Sequence, residues 1–311
     1  MKVITAPQVL GRISVAELVP VMEQTMRDVS AGNALHPPRF AIPINDAGRM
    51  GLMYGALRTP AVHGVKVLSL YPDAARHGLS SHQGFVLLFE SALGQPVAAI
   101  EADALTALRT AAVSMLATRV LARPAPLVFT ICGAGEQAEW HLRGVLECFA
   151  PEEIRLWARR PEAARTLASH FPEAAIQVVE DLAVAIRGAD VVTTTTSARA
   201  PFLAGALLEP GQHINLVGAS LADSREIDDA GVARLTMFTD SLESSGRESG
   251  EILGARASGA IADDYPLHEI GAVLAGDAQG RTEVDQITAY KSHGLIAQDL
   301  AAGWHIARAL G

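Results

Sequence analysis

The chain is short of the features that mark several functional classes. Its 311 residues include 25 basic and 34 acidic side chains, a formal net charge of −9, and the basic ones form no cluster. Both facts speak against nucleic acid as a partner. Two cysteines, Cys132 and Cys148, are too few for a disulfide framework. Both read as buried packing thiols rather than nucleophiles. Ten histidines occur without an H-E-x-x-H motif or a Cys/His pair at zinc spacing, so no metal is expected. The first residues show no signal-peptide pattern and no apolar run reads as long enough to cross a bilayer. A soluble cytoplasmic protein with no membrane association is therefore expected. No internal repeat or low-complexity tract appears. What remains is an ordinary globular balance, 49% hydrophobic and 19% charged, with length enough for two domains.

The two parts of the chain follow different patterns. A helix over 14–31 is followed by short β-rich segments at 39–44, 50–57, 64–70, 84–89 and 97–102. Turn clusters such as 45–48 and 91–94 separate them, which predicts a largely antiparallel sheet. A long helix over 103–123 ends before Pro124 and Pro126. From 127 onward strands and helices alternate: strand 127–132, helix to 149, strand 154–158, helix 161–170, strand 176–179, helix 181–187, then strands 191–195, 213–217 and 235–239. Such alternation calls for a parallel sheet with helices on both faces. A last strand, 286–291, and a terminal helix, 296–310, are expected to return to the first domain.

The most specific motif is the glycine turn after strand 127–132: Gly133-Ala134-Gly135-Glu136-Gln137-Ala138. Gly133 allows the tight turn, Gly135 lets the backbone approach a pyrophosphate, and Ala138 lets the helix pack close to the strand. The helix amides then face the phosphates. The next strand ends at Ala158, where an NAD-preferring fold offers Asp or Glu to the adenosine ribose. This chain offers Arg159 and Arg160 instead. Two guanidiniums without a carboxylate suit a ribose 2′-phosphate, so NADP(H) is the expected cofactor, with NAD(H) possible.

Five ordered segments then carry a resemblance. They are Gly64-Val-Lys66-Val-Leu-Ser-Leu-Tyr-Pro72, Leu105-Thr-Ala-Leu-Arg109-Thr-Ala-Ala112, Gly133-Ala-Gly135-Glu-Gln-Ala138, His213-Ile-Asn-Leu-Val-Gly-Ala-Ser220 and Tyr290-Lys-Ser-His-Gly-Leu-Ile-Ala-Gln-Asp299. The set resembles the ornithine cyclodeaminase/μ-crystallin family from about residue 39 to the C-terminus. The resemblance implies an α/β fold, a Rossmann dinucleotide-binding domain inserted in a β-rich α+β substrate and dimerisation domain. The expected limits are 124–284 for the insert and 1–123 with 285–311 for the rest. It also implies a homodimer, and a substrate carbon that alternates between amine and imine beside a carboxylate.

Several side chains acquire expected roles. Arg109 sits among small and apolar neighbours on its helix, and a buried guanidinium must be paired; a substrate carboxylate suits it. The resemblance assigns that role to Arg109, supports Arg39 as a second clamp, and points Lys66 into the substrate site as carboxylate ligand or proton donor. It places Ser81 against substrate, with His82 a weaker candidate. Thr194, Thr195 and Thr196, with Val217 and Gly218, are expected to line the nicotinamide side, at the carboxyl ends of their strands. Ser220 stands where ornithine cyclodeaminases carry Asp, and a hydroxyl supplies no charge for a side-chain ammonium. The expected function is thus an NAD(P)H-dependent reductase of an α-imino acid, of cyclic ketimine or Δ1-pyrroline-2-carboxylate type. The alternatives are an ornithine cyclodeaminase, an alanine dehydrogenase-like enzyme, or a non-catalytic crystallin-like binding protein.

Overall fold

The computed structural model describes residues 1–80, 82–124 and 127–310, with Ala75 by its backbone alone. The chain forms two compact units, Met1–Ala112 with Gly294–Gly311, and Val113–His293.

The first unit opens with β1 (Lys2–Ile4), α1 (Ala6–Leu10) and α2 (Val15–Ser30). Ser14 caps α2: its hydroxyl accepts from the Glu17 amide at 3.1 Å while Glu17 reaches back to the Ser14 amide at 2.8 Å. Val15, Leu18, Val19, Met22, Met26 and Val29 recur at helical spacing and are buried. Then follow β2 (Ala34–Leu35), β3 (Phe40–Asn45), β4 (Gly48–Leu57), β5 (Val62–Leu70), β6 (His82–Glu90) and β7 (Pro96–Glu101). They form a seven-stranded sheet in the order β1-β7-β6-β5-β4-β2, with β3 also on β4. Its pairings are antiparallel apart from β1 on β7.

The unit boundary falls within α3 (Ala102–Leu121). This helix corrects the expectation that no apolar run is long enough for a bilayer: by length and composition alone it qualifies. It is nevertheless a core helix, since 83% of that window is buried inside the protein.

The second unit runs β8 (Val128–Cys132), α4 (Glu136–Cys148), β9 (Glu153–Trp157), α5 (Pro161–Ser169), β10 (Ile176–Val178), α6 (Leu182–Ile186), β11 (Val191–Thr194) and β12 (His213–Leu216). It continues through α7 (Asp229–Val232), β13 (Thr236–Thr239), α8 (Leu242–Glu248), α9 (Gly250–Ala257), β14 (Leu267–Glu269), α10 (Ile270–Ala275) and β15 (Thr288–Lys291). The eight strands pair in parallel in the order β10-β9-β8-β11-β12-β15-β13-β14. The chain moves outward from β8 to β9 and β10, then returns to lay β11 beside β8. That reversal is the switch point at which doubly wound sheets bind ligands.

Two expectations are corrected here. The strand expected to return to the first domain does not: β15 lies between β12 and β13 in the parallel sheet, Tyr290 opposite Asn215 and Phe238. The expected limits at 123/124 and 284/285 accordingly give way to limits at 112/113 and 293/294. The physical reason is burial: all four residues of β15 are buried, which suits a central strand covered on both faces. Cys132 is fully buried, but Cys148 is only partly so. After β15 the chain ends in α11 (Ile296–Ala309), which packs on α2, β4, β5 and β6 within the first unit.

Candidate functional site

In the first unit, Lys66 lies mid-way along β5, on the face opposite to Val65 and Val67, and is only 2% exposed. Its ammonium donates to Thr106 Oγ1 at 2.6 Å and to Asp299 Oδ1 at 3.0 Å. Arg109, on α3, is also buried; its Nε donates to the same Asp299 oxygen at 3.1 Å and its Nη1 to Gln298 Oε1 at 2.9 Å. The guanidinium lies over Gly294, whose left-handed backbone (φ +77°) leaves no room for a side chain there. Three elements thus bring two cations and one anion together in a buried cluster, with a net formal charge of +1.

The cluster has two open valences. Asp299 Oδ2 is buried and has no hydrogen-bond partner, and Arg109 uses only Nε and Nη1 among the described residues. Burial pulls the Lys66 ammonium down to about 8; Asp299 holds it up, while the Arg109 and Arg39 charges push it further down. A lysine at that value exchanges its proton near neutral pH, as an acid–base group must. Arg39, half-buried, immediately precedes β3. His82 begins β6 with its side chain reaching solvent; desolvation, then the Lys66 charge, holds it below its usual value. Ser81 lies outside the described residues.

In the second unit the glycine turn has the geometry its sequence requires. Gly133 has φ +142° and its amide donates to Trp157 O at 2.8 Å, tying the turn to β9. A side chain at Gly133 would strike Thr195 Oγ1, whereas one at Gly135 would meet open space. Gly135 caps α4, Glu136 is exposed, Ala134 is half-buried and Ala138 is fully buried against the sheet. Gln137 Oε1 is buried without a partner. A bare backbone facing open space at a helix N-terminus fits a bound pyrophosphate. Arg159 and Arg160 follow β9 after Ala158 and are exposed, and among the described residues no carboxylate pairs with either side chain. Thr195 Oγ1 donates to Cys132 O at 3.2 Å, and the Val217 amide donates to Thr194 O at 3.0 Å. Ser220 is half-buried in the segment after β12.

Several site residues escaped sequence reasoning. Asp299 and Gln298 lie in a motif noted for its order, yet only the folded chain shows them holding Lys66 and Arg109. Glu226, fully buried, accepts hydrogen bonds from the ends of β11 and β12. Lys291 is fully buried; its ammonium pairs with Glu251 at 2.9 Å and donates to the carbonyl before Ser220. One signal was available: the chain has three lysines, and the two inside apolar strand patterns, Lys66 and Lys291, are both buried.

With this geometry in hand, known proteins give a consistent comparison. A family model described as the ornithine cyclodeaminase/mu-crystallin family matches residues 1–310. The ketimine reductase mu-crystallin of Mus musculus is 35% identical over 289 residues, covering 92% of this chain and 89% of that protein. The fold resembles that of the Thermococcus litoralis Δ1-pyrroline-2-carboxylate reductase solved with NADH and L-proline, with a TM-score of 0.94 and 30% identity over 99% of this chain and 97% of that one. An archaeal alanine dehydrogenase dimer with bound NAD gives a TM-score of 0.92 and 28% identity over 99% and 95%. The chain belongs to the ornithine cyclodeaminase/mu-crystallin family.

Proposed function

We propose that this protein is an NAD(P)H-dependent reductase of an α-imino acid, of cyclic ketimine or Δ1-pyrroline-2-carboxylate type. The observation that carries the reading is the Lys66–Asp299–Arg109 cluster: a buried net positive charge with an acid–base group inside it. An excess cation in a desolvated site selects an anion, and a carboxylate matches the guanidinium's paired donors. When bound, the reduced nicotinamide supplies a hydride. Arg109, with Arg39, holds the substrate carboxylate and so orients the imine carbon. Lys66 supplies the proton to the imine nitrogen, because an iminium accepts hydride far more readily than a neutral imine. Asp299 favours the charged form of Lys66 and holds Lys66 and Arg109 in place.

The cofactor is a nicotinamide dinucleotide held by Gly133, Ala134, Gly135, Glu136, Gln137 and Ala138, with Thr195 and Val217 beside the nicotinamide. NADP(H) is preferred, because Arg159 and Arg160 offer two exposed guanidiniums and Ala158 offers no carboxylate to repel a 2′-phosphate. The first unit binds substrate and forms a homodimer. In its support, Phe40, Ile42 and Ile44 alternate along β3 and stay exposed at 47%, 44% and 55%, an apolar face that a second copy would cover. The similar archaeal alanine dehydrogenase is itself a dimer. We read the protein as soluble and cytoplasmic, in keeping with the burial of the one long apolar helix among the described residues.

Ser220 separates this reading from a cyclodeaminase. A closed imine ring carries no free side-chain ammonium, so a hydroxyl suffices where a diamino acid needs a carboxylate. The deciding assay follows NADPH and NADH absorbance with Δ1-pyrroline-2-carboxylate, Δ1-piperideine-2-carboxylate, and pyruvate with an amine, and scores ammonia from ornithine with NAD+. NADPH oxidation with a cyclic imino acid is expected, with little ammonia. Robust proline and ammonia from ornithine would replace this function with the cyclodeaminase one.

A further inference from the structure

Glu226 is fully buried in the segment between β12 and α7, at the carboxyl ends of the parallel strands. Its Oε1 accepts from the Thr196 amide at 2.7 Å and the Thr196 hydroxyl at 2.7 Å. Its Oε2 accepts from the Thr194 hydroxyl at 2.7 Å and the Gly218 amide at 2.8 Å. Four donors therefore converge on one carboxylate, three from Thr194 and Thr196 at the end of β11 and its continuation, and one from Gly218 after β12. Gly218 is pressed so closely on this group that any side chain would strike Thr196 and Glu226 Oε1. The Glu226 backbone is fixed as well: its carbonyl accepts from Phe202 and Leu203, and its amide donates to Glu251 Oε1 at 3.3 Å. Glu251 in turn pairs with Lys291 at the end of β15, and Lys291 donates to Ala219 O.

The ends of three adjacent strands, β11, β12 and β15, are thus tied by buried charges rather than by packing alone. The strand order puts these ends on the opposite side of the glycine turn from β9. In a doubly wound sheet the adenosine lies on the β9 side and the other half of the dinucleotide lies across the reversal, toward β11 and β12. We propose that Glu226 is a positioning residue for the nicotinamide half of the cofactor, fixing the Thr194–Thr196 and Val217–Gly218 segments that border it. The inference rests on the dinucleotide reading given above, and not on any choice of substrate.

A neutral amide does not satisfy the same donor set. A glutamine at this position keeps one acceptor oxygen but turns an NH2 group toward at least one of the amide or hydroxyl donors. Two donors then face each other in a buried place, and the segments must move apart to relieve it. Burial pushes the Glu226 carboxyl above its usual range, while Thr194, Lys291 and Thr196 oppose that shift.

The test compares a whole cofactor with its adenine half. Binding of NADPH and of 2′-phospho-ADP-ribose is measured by titration calorimetry for the natural protein and for Glu226→Gln. The NADPH Kd is expected to rise about tenfold while the fragment Kd stays within about twofold. A general loss of structure would weaken both alike, so equal weakening overturns the proposal, as does no weakening of either. Thr194→Val is the second variant, nearly isosteric and lacking one donor; it is expected to weaken NADPH about threefold and leave the fragment unchanged. If Glu226→Gln fails to fold, this variant alone decides, with the same split for and against. Failure of the natural protein to bind either molecule would instead overturn the dinucleotide reading beneath it.

Discussion

The molecule carries two buried ionic clusters, one in each unit, and they are built on opposite accounts of charge. In the first unit Lys66 and Arg109 surround one carboxylate, Asp299, and one of its oxygens is left without a partner. In the second, Lys291 pairs with Glu251, which also accepts from the Glu226 amide, and both Glu226 oxygens are filled by four donors. Burying charges costs several kcal/mol per ion, recovered only when partners are complete. A complete cluster therefore behaves as a fixed joint. An incomplete one, with an excess cation and an open valence, is poised to take a ligand.

If that contrast is right, the two clusters should fail differently. Arg109→Leu removes the carboxylate clamp and leaves Asp299 with Lys66 alone; kcat/KM for an imino acid should fall about 10³-fold, roughly 4 kcal/mol. Cofactor Kd should hardly change, and steady-state kinetics beside calorimetry read both. An equal loss in cofactor binding would erase the distinction between the clusters.

Lys66→Met should lower kcat roughly 10²-fold, the range of a positioned general acid, with a smaller effect on KM. The pH profile supplies the sign. Lys66 is protonated below about 8 and neutral above it, so reductase activity should hold at neutral pH and fall as pH rises through that value. Asp299→Asn removes the charge that favours the ammonium, so the same alkaline limb should move to lower pH. A limb that stays in place in Asp299→Asn would deny Lys66 the role of donor.

Ser220→Asp should lower activity on cyclic imino acids several-fold and raise any activity on diamino acids, read by ammonia release. The smallest effect concerns the exposed guanidiniums. Arg159→Ala should raise the NADPH KM about tenfold and leave that for NADH nearly unchanged, a loss of about 1.4 kcal/mol. Matching changes for both cofactors would remove the basis for NADP(H) preference, and the double replacement with Arg160→Ala is the stricter version.

The legible and illegible parts of this protein divide along a physical line. Local pattern was readable wherever one residue's neighbours in sequence are also its neighbours in space. The glycine turn needed a positive φ at Gly133 and open backbone at Gly135, and both are requirements of a six-residue segment. The βα alternation from β8 to β12 was readable for the same reason, as was the burial of Arg109 among small residues on α3. The destination of β15 was not readable, because an apolar strand states that it will be covered and not which strands will cover it.

By itself, then, the sequence determined the type of most elements from α2 as far as β13, the phosphate-facing turn, the adjacency of Arg159 and Arg160 to β9, and the presence of Lys66 and Arg109 on opposite kinds of element. Only the tertiary structure decided what those charges meet. Asp299 lies 190 residues from Arg109 and 233 from Lys66, and Glu226 lies 32 from Thr194. Partners so distant in the chain leave no trace in local periodicity. What fixes them is that a buried charge must be paired, and the fold is the arrangement in which each one finds its counter-charge.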